Sequence, residues 1–169
     1  MTATDDGPSG GRPDVRPPAE WKLPRLRIDV DGDWFDDDVK ITHAGILANL
    51  RSTLRHDAQG YFIQTRVRIP VEVEDAPFVV TRIEVREASG DMLGALWGHL
   101  SDGSAEPLAL DSFWIGRRDA PYCRVKGGRF TARLAVSAWL QLVPVVSDGP
   151  HPGEITLVVG RERVVLPRR

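Results

Sequence analysis

The chain has 169 residues, of which 41% are hydrophobic and 27% are charged, a balance typical of a soluble globular domain with its own core. A formal net charge of -2 and a pI of about 6.1 do not indicate nucleic-acid binding. The single cysteine, Cys123, excludes an intramolecular disulfide and a cysteine metal cluster. No apolar run approaches the ~18 to 20 residues that span a bilayer, and the N-terminus lacks the profile of a signal peptide. We therefore expect a cytoplasmic protein with no membrane or nucleic-acid partner.

The first 23 residues are predicted to form a disordered tail. They are rich in Pro, Gly, Asp and Arg and contain almost no apolar residue before Trp21, so they cannot bury enough surface to offset the entropy lost on ordering. We expect order to begin near Leu23. The ordered part is predicted to comprise two subdomains, residues 24–88 and 89–169, that share one core.

The first predicted elements are two short strands joined by a tight turn. Apolar and polar residues alternate from Leu26 to Val30, which is the period of a half-buried strand. The pair Asp31-Gly32 favours a hairpin turn, and Trp34 begins the returning strand. The acidic run from Asp36 to Asp38 predicts a second turn, because short polar side chains can hydrogen-bond a bending backbone.

A helix is predicted next, from His43 to His56. Thr42 can accept hydrogen bonds from its first free amides, and apolar residues recur after it at helical spacing, at Ile46, Leu47, Leu50 and Leu54. Gly60 closes the connection, and the segment YFIQT is predicted to form a strand.

The longest alternation of apolar and charged residues comes next, over residues 66–74. Pro70 lies on the charged face and cannot donate a ladder hydrogen bond, which indicates an edge strand or a bulge. Three further strands are predicted to form a meander, at Phe78–Val85, Met92–Leu100 and Leu108–Ile115.

A second helix is predicted from Phe130 to Val143. Phe130, Leu134, Ala138 and Leu142 follow an i, i+4 ladder, and Pro144 ends it. Residues 151–167 predict a final hairpin that turns near Gly160. Because each predicted helix is preceded and followed by strands, the two helical segments also indicate a faint internal repeat.

Several segments resemble a known bacterial family. The segments VEVEDAPF (71–78), DGDWF (31–35) and LRSTLRHDAQGYFIQT (50–65) are together similar to the bacterial family of unknown function numbered 1285, and APYCRVKGGRFTARL (120–134) resembles its second half. The resemblance implies an α+β fold of two structurally similar subdomains, each mostly antiparallel sheet with one main helix. It implies no established activity, although a role in signalling or in sensing a small ligand has been suggested for the family.

The acidic window from Asp29 to Asp38 does not have the pattern of a calcium-binding loop. Such a loop needs glycine at its sixth position and glutamate at its twelfth, and counting from Asp29 these positions hold Trp34 and Lys40. We interpret the window as solvated turns and predict no metal site.

The segment VKGGRF, residues 125–130, is a candidate anion-binding site. Two glycines that lead into the predicted second helix leave backbone amides free, and two cations add positive charge. The candidate residues are Lys126, Gly127, Gly128 and Arg129. The alternative interpretation is a simple tight turn. The full phosphate-loop pattern is absent, so neither a nucleotide triphosphate site nor any other cofactor is predicted.

Three further residues are candidates for binding. Glu74 and Asp75 lie before Ala76-Pro77, where the alternative interpretation is a corner between two strands. His43 lies near the start of the first predicted helix, where a lone imidazole also suits a capping role. No catalytic residue is predicted, because the histidines are isolated from one another and the chain contains no Gly-x-Ser-x-Gly segment.

These observations support two main hypotheses about function. The first is a non-enzymatic cytosolic binding or regulatory module, in which the seam between the subdomains takes a small acidic ligand or a protein partner. The second is a metal-dependent hydrolase, in which Glu74 and Asp75 converge with the Asp36 to Asp38 group to hold a metal ion. A structural scaffold subunit is a third option.

Overall fold

The structure of the protein, a computed structural model, describes residues 22–86 and 95–169. The fold is α+β and mostly sheet, with two six-stranded sheets and one three-stranded sheet. It has two similar halves, as the sequence predicts. Nearly all of the predicted N-terminal tail and the predicted subdomain boundary after residue 88 lie outside the described residues. None of the helices in the described ranges has the length and apolar character needed to cross a membrane.

The first half is a sheet of six short strands with one helix. In chain order its elements are β1 (Leu26–Ile28), β2 (Trp34–Asp36), β3 (Val39–Lys40), α1 (Ala44–Thr53), β4 (Leu54–Asp57), β5 (Gly60–Gln64) and β6 (Arg68–Val73). The strand order is β3-β2-β1-β6-β5-β4, in which β1 and β6 are parallel and all other neighbours are antiparallel. Two three-stranded meanders therefore meet at a parallel pair in the centre of the sheet.

The second half has the same connection order. Its strands are β7 (Phe78–Arg86), β8 (Ala95–Leu100), β9 (Ala105–Leu108), β10 (Trp114–Ile115), β11 (Pro121–Val125) and β12 (Phe130–Leu134). Their order is β9-β8-β7-β12-β11-β10, with β7 and β12 as the central parallel pair. A short 3-10 helix at Leu110–Ser112 lies between the two meanders, where α1 lies in the first half. The second sheet thus begins at Phe78, within the segment that the sequence prediction assigned to the first subdomain.

The remaining elements cover the second sheet and close its edge. Helix α2 (Val136–Leu140) packs on β7, and the three-stranded antiparallel sheet comprises β13 (Val146–Asp148), β14 (Ile155–Val159) and β15 (Glu162–Val165). The last residues then pair with β10, because the Ile115 N–H donates to the Pro167 carbonyl and the Arg169 N–H donates to the Ile115 carbonyl, each over 2.9 Å. The C-terminus therefore extends the second sheet by one short parallel segment.

One continuous buried cluster joins the halves. It includes Ile28 and Trp34 of the first sheet, Val80 and Ala132 of the second and Leu157 of the third, each at most 1% exposed. Burying this apolar surface stabilises the fold and also fixes the two sheets against each other. Residues at the seam between the sheets are consequently held in place by the shared core.

The predicted second helix is wrong over its first part. Phe130–Leu134 forms β12, and α2 includes only Val136–Leu140. The error arises because Phe130 and Leu134 fit both a period of four and a period of two. Ala132, which fits only the period of two, is fully buried, so the strand period is the one that buries apolar surface here.

The first helix is shorter than predicted. It ends at Thr53, and residues 54–56, which the prediction kept helical, belong to β4 (Leu54–Asp57). Leu54 is 2% exposed and pairs with Ile63 of the neighbouring strand, so tertiary pairing ends the helix. The N-cap is His43, one residue after the predicted Thr42.

Two strand predictions also need correction. Most of Leu108–Ile115 is not a strand, since only its ends belong to β9 and β10. β6 is central in its sheet instead of lying at an edge, although Pro70 is exposed as predicted. β5 pairs with residues 68–70 and β1 with residues 71–73, so β6 changes partners at Pro70, where a missing N–H does least harm.

The predicted internal repeat matched the two helical segments with each other. In the structure, α1 lies between the meanders of its sheet, whereas α2 follows the last strand of the second sheet. The two helices are therefore not in equivalent positions, even though the sheets share one connection order.

Candidate functional site

A cavity of about 320 Å³ lies at the seam between the two halves. The first half contributes residues from the turn after β1 and from the link between β6 and β7, and the second contributes the β10–β11 turn and the adjacent strands. We call it the seam cavity, and its lining residues are Val30, Glu74, Asp75, Arg117, Arg118, Ala120, Tyr122 and Arg133. Because both halves form its wall, the cavity exists only in the complete fold.

The turn between β10 and β11 places two arginines at the cavity. The Gly116 N–H donates to the Ala120 carbonyl over 2.8 Å and closes the turn. Arg118 and Asp119 have φ values of 55° and 56°, a left-handed conformation that costs a non-glycine residue roughly 1–2 kcal/mol. Arg168 from the C-terminal segment donates to Asp119 Oδ1 over 2.6 Å. The C-terminus therefore helps to hold this turn in its strained conformation.

Tyr122 forms one wall of the cavity. Its hydroxyl donates to Asp75 Oδ1 over 2.8 Å, and its ring stacks on Trp114 with the centroids 5.6 Å apart. Gly116 makes room for this ring, since a Cβ at that position would lie 2.7 Å from Tyr122 Cε2. Burial and the hydrogen bond to Asp75 raise the pKa of Tyr122 to about 12. The hydroxyl consequently remains protonated at neutral pH.

The two carboxylates at the cavity already have partners. Glu74 forms an ion pair with Arg27 of β1. Asp75 accepts the Tyr122 hydroxyl, and its Oδ2 lies 3.6 Å from Arg133 Nε. That Nε is buried and has no hydrogen-bond partner among the described residues. Neither carboxylate is therefore an uncompensated negative charge.

Arg117 and Arg118 carry the positive charge that is left over. Within residues 22–86 and 95–169, no carboxylate oxygen lies within 4 Å of either guanidinium, and the neighbouring Asp119 is paired with Arg168. A guanidinium presents a planar fork of N–H donors that matches a carboxylate or a phosphate. The cavity thus has the electrostatics of a site for a small anion.

Of the predicted binding residues, Glu74 and Asp75 do line the seam cavity. His43 lies elsewhere, at the start of α1, where its Nδ1 accepts the Ile46 N–H over 3.3 Å. The capping role that the sequence suggested for His43 is confirmed, and a binding role for it stays a prediction.

The premise of the predicted anion site at Lys126–Arg129 is wrong. Gly127 and Gly128, with φ values of 66° and 82°, form the turn between β11 and β12, and a strand follows them instead of a helix. Lys126 Nζ lies 2.6 Å from Asp102 Oδ2, and the Lys126 N–H donates to Glu106 Oε1 over 2.6 Å. No helix N-terminus therefore supplies free amides here, and the tight turn is the interpretation that agrees with the structure.

The structure does not bring together the carboxylates of the hydrolase hypothesis. Asp37 and Asp38 lie at the β2–β3 turn and line a different cavity, of about 460 Å³, with Glu72. Glu74 and Asp75 are engaged at the seam. In the described part of the chain, no group of three or more His, Cys, Asp or Glu residues is placed to hold a metal ion. This arrangement gives a hydrolytic metal no evident ligand set.

Sequence reasoning missed the four other polar or charged residues of the seam cavity: Arg117, Arg118, Tyr122 and Arg133. The adjacent pair Arg117-Arg118 between a glycine and an aspartate has the composition of an exposed turn and is the only available signal. Arg133 lay inside the predicted helix. No sequence spacing links these positions to Asp75, because the link is made by the packing of the two sheets.

The fold is similar to two crystal structures. One is of a DUF1285 family protein from Silicibacter pomeroyi DSS-3, with a TM-score of 0.67 and 22% sequence identity over 83% of this chain and 78% of that chain. The other is of a DUF1285 family protein from Shewanella baltica OS155, with a TM-score of 0.58 and 22% identity over 72% of this chain and 92% of that chain. These similarities confirm the resemblance to that family at the level of the fold.

Comparison at the level of sequence adds no functional information. No protein-family model matches the chain. No similar sequence was found among curated proteins. The function must therefore be argued from the site itself.

Proposed function

We propose that this protein is a binding module that takes a small acidic ligand in the seam cavity. The observation that carries the proposal is the pair of guanidiniums, Arg117 and Arg118, which line a cavity between the halves and have no carboxylate partner among the described residues. A ligand carboxylate would supply that partner through charge-assisted hydrogen bonds.

The size and charge of the seam cavity define the class of ligand. A volume of about 320 Å³ is near the lower end of the range for small-molecule sites, about 300–1,000 Å³, so the ligand has few heavy atoms. Glu74 and Asp75 already have partners in Arg27, Tyr122 and Arg133, so the two free arginines are the groups that attract a ligand anion. The ligand's carboxylate is accordingly oriented toward the β10–β11 turn.

The chemistry of the lining favours binding over catalysis. Tyr122 has a pKa of about 12 and is committed to Asp75, so it is a poor proton donor or acceptor near neutral pH. The nearby thiol of Cys123 is fully buried, and burial raises its pKa to about 12. A site of this kind suits a regulatory module that senses its ligand.

Calorimetric titration with succinate and citrate tests the proposal. We expect the wild type to bind at least one of these acids, and the double variant Arg117→Gln/Arg118→Gln to lose about 10-fold or more in affinity, since a hydrogen bond to a charged group is worth about 1.5–3 kcal/mol. Backbone amide shifts of residues 117–120 should follow the titration. Unchanged affinity in the double variant would refute the proposal, as would no binding by the wild type at about 10 mM ligand.

Arg163→Gln is the matched control. Arg163 is exposed on β15, does not line the cavity, and its replacement removes one positive charge, as each of the two substitutions in the double variant does. Its affinity for the acids should stay within about twofold of the wild type, because screening reduces remote charge effects. A loss equal to that of a seam variant would mean that net charge alone attracts the ligand.

A further inference from the structure

A second cavity of about 320 Å³ lies between α1 of the first half and the β11–β12 turn of the second. We call it the helix-side cavity. Leu54, Phe78 and Phe130, all at most 7% exposed, provide apolar lining. Its charged and polar lining residues include Arg51, Ser52, Arg55, Asp102, Lys126 and Arg129. None of these residues lines the seam cavity, so a ligand bound here would be independent of the proposed function.

The helix-side cavity has three arginines without acidic partners. Lys126 and Asp102 form an ion pair over 2.6 Å and cancel each other. Across residues 22–86 and 95–169, no carboxylate oxygen lies within 4 Å of Arg51, Arg55 or Arg129. The lining residues therefore carry three positive charges in excess, from both halves of the fold, and Glu106, whose Oε2 lies 4.0 Å from Lys126 Nζ, lies outside the lining.

Backbone carbonyls hold two of these arginines in place. Arg55 Nη1 donates to the carbonyls of Ser52 and Leu54, over 3.1 and 2.9 Å, and Arg129 Nε donates to the Lys126 carbonyl over 3.0 Å. Each guanidinium is thereby oriented by one nitrogen, while its remaining nitrogens have no acceptor among the described residues. Such anchoring reduces the side-chain entropy that a ligand would otherwise have to remove.

We propose that the helix-side cavity binds the phosphate group of a small molecule, through Arg51 and Arg55 on one side and Arg129 on the other. Three guanidiniums match the charge and the several acceptor oxygens of a phosphate dianion better than those of a single carboxylate. The C-terminus of α1 opposes an anion, but its dipole is equivalent to only about half a charge. Arg55 already donates to the Ser52 carbonyl at that end of the helix, and the three full positive charges outweigh the dipole.

This proposal gives Arg129 a role different from the one that its sequence suggested. The sequence placed an anion at free amides of a helix start near Gly127 and Gly128, which the structure does not contain. The tertiary fold instead places Arg129 across the seam from α1. Lys126, the other predicted cation, serves to neutralise Asp102.

Calorimetry and amide chemical shifts with two probes test the proposal. Inorganic phosphate tests the anion alone, and glycerol 3-phosphate tests the phosphate group of an organic molecule. We expect both to shift the amides of Ser52 and Gly128, with glycerol 3-phosphate binding at least as tightly because the volume exceeds that of phosphate. Arg51→Gln and Arg129→Gln should each weaken binding about 10-fold, and Arg163→Gln by less than about twofold.

Several outcomes would overturn this assignment. They are no binding of either probe by the wild type, equal losses in Arg163→Gln and Arg129→Gln, or tighter binding of inorganic phosphate alone. Arg51 makes no side-chain hydrogen bond within the described residues, so Arg51→Gln tests the site without disturbing a turn. The double variant Arg117→Gln/Arg118→Gln should retain phosphate binding, which separates failure here from failure at the seam cavity.

Discussion

Replacing Tyr122 by phenylalanine is expected to destabilise the protein at neutral pH. The change removes the hydroxyl that donates to Asp75 Oδ1 over 2.8 Å and keeps the ring that stacks on Trp114. The side chain of Asp75 is only 14% exposed, so water replaces the lost donor poorly. A hydrogen bond to a charged group contributes about 1.5–3 kcal/mol, and we expect the free energy of unfolding near pH 7 to fall by that amount. Urea titration followed by tryptophan fluorescence measures it.

The alkaline pH dependence gives a second measurement at this hydroxyl, whose pKa is raised by burial and by the hydrogen bond to Asp75. The pKa of Tyr122 is about 12 in the folded protein, against about 10 in an unfolded chain. Because the folded value is the higher one, this contribution to stability is complete below about pH 10 and is lost as the pH rises through about 12. Two pKa units correspond to about 2.7 kcal/mol. The stability advantage of the wild type over the variant should therefore shrink by about 2–3 kcal/mol between about pH 9 and pH 12.

The matched control is Tyr61→Phe at neutral pH. Tyr61 stacks on Phe130, and its hydroxyl makes no hydrogen bond within the described residues, so its loss should change stability by less than about 0.5 kcal/mol. A Tyr122→Phe variant as stable as the wild type at pH 7 would contradict this prediction. A difference in stability between the two proteins that is the same at about pH 9 and pH 12 would also contradict it.

Three further predictions concern other parts of the fold. Gln141→Met should lower the free energy of unfolding, measured by urea titration, by about 1–3 kcal/mol, because Gln141 Oε1 accepts the N–H of buried Ile83 over 2.6 Å. Gln141→Glu keeps an acceptor and should lose less. An equal loss of stability in both variants would contradict this prediction. Burial alone would raise the pKa of Asp102, but hydrogen bonds from Lys126 and Ser104 hold this pKa below its usual value. Protonating Asp102 therefore removes a stabilising interaction, and the wild type should lose stability relative to Lys126→Met as the pH falls below about 3.8. A difference in the free energy of unfolding between the wild type and Lys126→Met that is the same at about pH 5 and pH 3 would contradict this prediction. Cys123 is fully buried with a pKa of about 12, so an aromatic disulfide reagent should label it only in urea-unfolded protein; rapid labelling of the native protein would show that the site opens.

Local patterns predicted much of the fold because each reports on a nearby physical constraint. The strand that begins at Leu26, the turn at Asp31-Gly32 and the final hairpin at Gly160 appear in the structure near their predicted places, although the strand ends at Ile28 and Val30 lies exposed in the turn. The same reasoning failed at Phe130–Leu134, where two periodicities coincide. Only burial of Ala132 against the neighbouring strand selects between them.

The candidate sites could be predicted only in part. Glu74 and Asp75 were found because an acidic pair before Ala-Pro has a recognisable turn chemistry. Arg117 and Arg133 were not, since arginines in a turn or a strand have no distinctive spacing. Arg129 was predicted because a helix was expected to begin beside it, but a strand, β12, begins there instead.

The amino-acid sequence by itself determined the positions of many strands and turns, and its resemblance to a known family indicated the class of the fold. The positions of strands and turns depend on periodicity and composition over a few residues. Tertiary structure alone decided that Arg117 and Arg118 line the same cavity as Asp75. It also decided that Arg51 and Arg55 line the helix-side cavity together with Arg129. The reason is that two sheets packed on one core bring together residues that are far apart in the chain. The electrostatic interaction between these residues depends on their separation in space and not on their separation in sequence.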